Sequence, residues 1–370
     1  MSMTARVDLT RTRQKAIVCL SMPNSRIAFG DQISNHPSGG AMGAIQRHAQ
    51  VLPFRPERVY GGHGFDDPAA VLAIGNTPML SLRRFARRTG LPDSIELWLK
   101  AEWVNPGGSV KDRPALCIVK AGLASGRLGE GRVLLDATSG NTGIAYAMLG
   151  AAFGFRVELV IPENASDERK AMLKAYGANV VLSDPYEGSN GAIRQARSLA
   201  AERPDSYFYA DQYSNPANPG AHFSGTGPEL WRQTSGRITH FVAGLGTTGT
   251  LMGAGRYLKK QDSTVTLVGV QPAESFHGIE GLKHLPTAIV PSIYDESVPD
   301  VQIGVDTEDA FAFARELAQV EGLFTGTSTG AALAGAVRIA RELAEEQAPG
   351  VIVALAPDGG GKYLSTELWS

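Results

Sequence analysis

The feature that most limits how this chain can fold is a series of short, almost wholly apolar runs separated by helix-patterned segments. "IELWLKAEW", "RVLLDA", "RVELVIPEN", "NVVLSD", "SYFYADQY", "ITHFVAGLG", "VTLVGVQP" and "GVIVALAP" recur from Ile95 to Pro357. An antiparallel sheet with one wet face alternates apolar and polar residues. Runs apolar throughout belong to strands covered on both faces, and so to parallel sheets flanked by helices. The segments between them fit this. "SDERKAMLKAYGA" predicts a helix with Ser166 at its N-cap. Gly191 to Ala201 places Ile193, Ala196 and Ala200 on one helical face. The fold class is therefore α/β. Ligands in such folds bind beyond the carboxyl ends of the strands. The first 70 residues lack this pattern. "NHPSGG" and "YGGHGFDDP" are rich in breakers, and residues 1–70 read as a loosely ordered extension, one that could pack on a neighbouring subunit.

Charge and cysteine content exclude several classes. The formal net charge is −2. Residues 1–60 carry eight basic and three acidic side chains, so the remainder is −7. That balance does not provide a nucleic-acid footprint. Two cysteines, Cys19 and Cys117, cannot form a disulfide framework or a four-thiolate metal site, which fits the cytoplasm. No metal site is expected. Cys117 follows Lys111 on a helix-patterned segment and reads as a small buried hydrophobe. No apolar run approaches the roughly 20 residues of a membrane span. The early arginines and serines faintly resemble a transit peptide, and Asp8 argues against one.

Three glycine- and hydroxyl-rich turns carry the chemistry. "AGLGTTGTLMGAG", Ala243–Gly255, follows a strand and opens a helix, where free N–H groups favour an anion. Gly244, Gly246 and Gly249 spell the dinucleotide pattern GxGxxG. That pattern needs an acidic residue at the end of the next strand, and "VTLVGVQP" ends in Gln271 and Pro272. The Lys-Ser/Thr of a nucleotide P-loop is missing as well. The ligand expected here carries one phosphate and needs no ribose partner. "TSGNTG", Thr138–Gly143, offers hydroxyls, an amide and N–H groups suited to a carboxylate. "GTSTGAALAG", Gly326–Gly335, opens a helix at Ser328. Each turn would look the same if it did no more than cap its helix.

The remaining piece is "NPGGSVKDRPA", Asn105–Ala115, in which one lysine, Lys111, stands on constrained backbone. An exposed lysine paired with Asp112 is the plain reading. Beside a monophosphate site, a fixed lysine instead suggests pyridoxal 5′-phosphate held as a Schiff base.

With "NPANPGAHFSGTGPE" and "KYLST", these motifs occur in the order found in the fold type II pyridoxal-phosphate enzymes. From about residue 71 to 370 the chain resembles the cysteine synthases that use O-acetylserine or O-phosphoserine. The resemblance implies two domains, each a mostly parallel twisted sheet flanked by helices. Residues 71–104 plus 216–370 would form the larger, phosphate-binding domain, and 105–215 a smaller mobile one that binds substrate. It implies that Lys111 holds the cofactor and takes the substrate α-proton. Asn141 would bond the cofactor's ring oxygen, and Gly246, Thr247, Thr248, Gly249 and Thr250 would cradle its phosphate. Ser328 would meet the pyridine nitrogen. Thr138, Ser139, Thr142 and Gln212 would grip the substrate carboxylate. A hydroxyl at the ring nitrogen does not force its protonation, which suits loss of a β-substituent to give an α-aminoacrylate that a sulfur nucleophile then attacks.

One segment departs from the acetylserine pattern. "QPAESFHGIEGLKHLP", Gln271–Pro286, carries Lys283 where phosphoserine-using relatives place a basic residue, so O-phosphoserine is expected to be accepted at least as well as O-acetylserine. The alternative for Lys283 is a solvated loop. The resemblance also implies a homodimer taking a small amino acid and sulfide or a sulfur carrier as donor. Alternatives are β-replacement with another amine or thiol nucleophile, as in the diaminopropionate-type and cystathionine β-synthases, and a non-catalytic cofactor-binding regulator.

Overall fold

The computed structural model describes residues 67–370 apart from Glu130 and Ser139. The expectations for residues 1–66, and the role given to Ser139, lie outside the described residues. Along the chain, α1 (Ala69–Leu72) is followed by β1 (Met79–Ser81), α2 (Arg83–Arg88), β2 (Ile95–Ala101) and α3 (Asp112–Ala124). Next come β3 (Val133–Ala137), α4 (Asn141–Phe153), β4 (Val157–Pro162), α5 (Asp167–Ala175), β5 (Asn179–Ser183), α6 (Gly188–Glu202) and β6 (Tyr207–Tyr209). The second half holds α7 (Ala217–Ala221), α8 (Gly227–Gln233), β7 (His240–Gly244), α9 (Gly249–Gln261), β8 (Thr266–Pro272) and β9 (Val301–Val305). It closes with α10 (Thr307–Glu321), α11 (Thr327–Glu345) and β10 (Gly350–Ala356).

The strands form two sheets. One has six strands in the order β1-β2-β10-β7-β8-β9, the other four in the order β5-β4-β3-β6. Every pairing is parallel except β1 with β2. The all-apolar runs explain this. All seven residues of β10 are buried, and α11 packs on it with a face that includes Leu333, Val337 and Ala340. The smaller sheet has its own core, in which Leu134 and Leu159 meet Ile144 and Leu149 of α4.

Several local expectations change. "SYFYADQY" yields only the three residues of β6, because the chain turns at Asp211, where φ is +43°. The short strands β1 and β9 were not anticipated; β1 is only three residues long, and β9 has two exposed positions. The expected boundary at residue 70 falls inside α1, whose Val71 is buried against the smaller core. Ser166 does precede α5, but its hydroxyl donates to the Lys362 carbonyl at 3.1 Å instead of capping the helix. Cys117 is partly exposed, not buried.

Candidate active site

The loops beyond the carboxyl ends of both sheets surround one cavity of about 490 Å³. Lys111, Thr138, Asn141, Thr142, Gln212, Gly246, Thr247 and Lys283 all line it. A smaller recess, also bounded by Lys111 and Asn141, adds Thr248, Thr250 and Ser328. Gly249 opens α9 directly behind this recess. The predicted residues, Ser139 apart, therefore converge from six separate stretches of sequence.

Lys111 immediately precedes α3 and has helical backbone geometry. Its neighbour Asp112 does not pair with it. Asp112 Oδ2 accepts the Gly107 N–H at 2.5 Å, and burial pushes that carboxyl up to about 7. Burial also lowers the pKa of Lys111, outweighing the opposing pull of Asp358, so its amine loses a proton more readily than an exposed lysine. Helix α3 is held by a buried ionic cluster. Arg113 donates to Glu102 at 2.7 and 2.8 Å and to Glu229 at 2.8 and 2.7 Å; Lys100 donates to Glu229 at 2.6 Å. Two cations and two carboxylates balance, which makes their burial tolerable.

The glycine cradle is built for close backbone approach. A Cβ on Gly246 would lie 2.1 Å from the Gly281 carbonyl oxygen, and one on Gly249 would lie 1.9 Å from Asn218 Oδ1. Thr248 takes φ +68°, and its buried hydroxyl has no protein partner. An orphaned hydroxyl at the start of a helix, among turns that leave no room for side chains, fits a phosphate. The donor set thus fits a monophosphate such as that of pyridoxal phosphate, and Lys111 bounds the same recess.

The 138–143 turn is partly self-satisfied. Thr138 Oγ1 accepts the N–H groups of Gly140 at 3.0 Å and Gly143 at 3.2 Å, which caps α4 from outside its first residue. Thr142 donates to Gln212 Oε1 at 2.6 Å, and Gln212 Nε2 donates to the Ala137 carbonyl at 2.7 Å. An anion entering this turn would therefore have to compete with Gln212 for the Thr142 proton.

Lys283 is not on a solvated loop. It is 6% exposed, and burial lowers its pKa to about 8. Its amine lies 3.1 Å from Ser189 Oγ and 5.1 Å from the centre of the Tyr213 ring. No carboxylate pairs with it among the described residues. A buried cation left unpaired in a cavity favours an anionic occupant.

Sequence reasoning missed Arg169, Glu280, Asp358 and Lys362. Arg169, on α5, pairs with Glu280 and lies 4.8 Å over the ring of Tyr363. Asn141 donates to Asp358 Oδ2 and accepts from Lys362 Nζ, each at 2.8 Å. "KYLST" was visible as a motif, but nothing in it showed that its lysine turns back onto Asn141. Nothing local in "SDERKAMLKAYGA" marks Arg169, because its partner lies 111 residues away.

Comparison with known proteins agrees with this geometry. Residues 70–358 match the family model described as pyridoxal-phosphate dependent enzyme. A cysteine synthase of Aquifex aeolicus is 54% identical over 297 residues, covering 80% of this chain and 90% of that protein. The crystal structure of O-acetyl serine sulfhydrylase isoform 3 from Entamoeba histolytica superposes with a TM-score of 0.75 at 36% identity, covering 85% of this chain and 92% of that one. The structure of an O-ureido-L-serine synthase gives a TM-score of 0.75 at 38% identity, covering 83% and 96%. With a lysine, a phosphate cradle and a hydroxyl-lined turn meeting in one cavity, and with these likenesses over most of its length, the chain belongs to the pyridoxal-phosphate dependent enzyme family.

Proposed function

We propose that this protein is a cysteine synthase, forming L-cysteine by β-replacement on an O-activated serine. The observation that carries the reading is the convergence of Lys111, the 246–250 cradle and the 138–143 turn on one cavity and the recess that shares Lys111 and Asn141 with it. When bound, pyridoxal phosphate supplies an electron sink that acidifies the substrate α-carbon and lets the β-substituent leave. The protein supplies the rest. Gly246, Thr247, Thr248, Gly249 and Thr250 hold the phosphate with N–H groups and hydroxyls. Lys111 would hold the cofactor through its aldehyde, and its free amine would take the substrate α-proton; the lowered pKa keeps that amine usable as a base. Asn141 would donate to the cofactor's ring oxygen. Ser328 would offer a hydroxyl to its ring nitrogen, which would not hold a proton there as a carboxylate would. Thr138, Ser139, Thr142 and Gln212 bind the substrate carboxylate.

Lys283 lines the same cavity and serves as the reader of the β-substituent. An ammonium there favours phosphate over acetate, so O-phosphoserine is taken as a substrate beside O-acetylserine. Residues 105–215 act as a smaller body closing on 71–104 plus 216–370. In support, the four-stranded sheet lies wholly within the first range and the six-stranded sheet wholly within the second. The protein acts in the cytoplasm as a homodimer. The cysteine content, two residues in the whole chain, supports the cytoplasm, and the dimer rests on the family likeness alone.

The test is to give the purified holoenzyme each activated serine separately with sulfide and to quantify cysteine. Cysteine from either substrate supports the reading, and none from both refutes it. A second reading, replacement by a nucleophile other than sulfur, draws on the O-ureido-L-serine synthase likeness, since the name of that product places oxygen, not sulfur, on the serine β-carbon. Hydroxyurea in place of sulfide tests it by mass spectrometry.

A further inference from the structure

Lys362 lies after β10, far in sequence from every residue assigned above, yet its ammonium is committed to the site. It donates to Asn141 Oδ1 at 2.8 Å, to the Gly108 carbonyl at 3.0 Å and to the Gly107 carbonyl at 3.2 Å. The side chain is buried. All three N–H bonds of the ammonium are accounted for, two of them on the turn that leads to Lys111. On its other side, Asn141 Nδ2 donates to Asp358 Oδ2 at 2.8 Å. That same oxygen accepts the Tyr363 hydroxyl at 2.8 Å, and Asp358 is fully buried.

The chemistry of these two partners leaves the amide a single orientation. An ammonium only donates and a carboxylate only accepts. Turned over, Asn141 would set its oxygen against the Asp358 carboxylate and its NH₂ against the Lys362 ammonium. Neither contact is a hydrogen bond, and both would be buried. With Oδ1 held by Lys362 and one Nδ2 hydrogen held by Asp358, the other Nδ2 hydrogen is the group left for the cavity.

We propose that Lys362 is a positioning residue for this active site, acting through Asn141 by fixing which end of its amide the cofactor meets. The inference rests on the role given to Asn141 above. A neutral, non-donating side chain at 362 removes the donor that holds Oδ1 and leaves Asp358 as the amide's one charged restraint, so the amide is no longer held firmly with its free N–H towards the cavity. Lys362→Arg keeps a side chain that only donates, so it keeps the lock.

The experiment is a double-mutant cycle on the holoenzyme with Lys362→Met, Asn141→Ala and the pair, alongside Lys362→Arg, reading kcat, KM and the visible absorption of bound cofactor. Lys362→Met is expected to lower kcat/KM by about 10- to 100-fold and to shift the absorption maximum, a change that loss of fold stability alone does not produce. In the Asn141→Ala background the same substitution is expected to cost less than about threefold, because the amide it orients is gone. Lys362→Arg is expected to keep the wild-type maximum. Equal losses in both backgrounds, or an unchanged spectrum in Lys362→Met, overturn the proposal. Should Lys362→Met fail to fold, Lys362→Gln replaces it in the same cycle, since its amide can also accept. A wild type that binds no pyridoxal phosphate would instead sink the functional reading itself, which separates the two failures.

Discussion

Lys283 provides the sharpest prediction about substrate choice. The perturbation is Lys283→Met, which keeps the stem and removes the charge. A hydrogen bond to a charged group contributes about 1.5–3 kcal/mol, which corresponds to about 10- to 150-fold in kcat/KM. Lys283 is 6% exposed and has no carboxylate partner among the described residues, so solvent and neighbours do little to screen that loss. The predicted effect is a fall of that size for O-phosphoserine and less than about threefold for O-acetylserine. The pH profile gives an independent reading. Burial lowers this pKa to about 8, so the free enzyme carries the charge below that pH and loses it above. On that value the charged fraction drops from about nine-tenths at pH 7 to about one-tenth at pH 9, and kcat/KM for O-phosphoserine relative to O-acetylserine falls about tenfold over that interval. Steady-state kinetics with both substrates from pH 6.5 to 9.5 measures it. Equal losses for the two substrates in Lys283→Met, or a wild-type ratio flat across pH 8, would refute the assignment of Lys283 to the phosphate.

Three further outcomes follow from the geometry. Gly246→Ala drives a methyl into the Gly281 carbonyl, so the loop must shift at a cost of about 1–3 kcal/mol, with pyridoxal phosphate bound about 5- to 150-fold more weakly by equilibrium dialysis; unchanged affinity would mean the cradle is not the phosphate site. Arg113→Met leaves Glu102 and Glu229 facing Lys100 alone, and denaturant unfolding is expected to show a loss of about 3–5 kcal/mol, against less than 1 kcal/mol if the cluster were merely decorative. His222 is buried, with its Nδ1 at 2.9 Å from Thr226 Oγ1, and burial, with some help from Arg113, lowers its pKa to about 3. The unfolded chain takes up this proton below about 6.5 while the fold refuses it, so stability is lost as pH falls from 6.5 towards 3, and His222→Gln should flatten that part of a Tm-versus-pH curve.

Much of the site could be read from the sequence because its parts are local. The 246–250 cradle must be a strand, a glycine turn and a helix start within a dozen residues, and the clashes at Gly246 and Gly249 show why no other residue serves there. Apolar runs likewise predicted parallel strands because burial on both faces leaves a plain compositional mark. What could not be read depends on partners far apart in the chain. Lys362 meets Asn141 across 221 positions, and Arg113 meets Glu229 across 116. Neither contact leaves a periodic or motif signal. The strand β9 escaped notice for a related reason, since the exposed Gln302 and Gly304 at this sheet edge need not be apolar.

The account as a whole depends on Lys111 being the residue that carries the cofactor. Reduction of the holoenzyme with borohydride, followed by peptide mapping, tests this directly. The predicted result is a single pyridoxyl-modified peptide tagged at Lys111, with no tag in Lys111→Ala. A tag on any other lysine, Lys362 and Lys283 included, would contradict it, as would a wild-type protein that takes none.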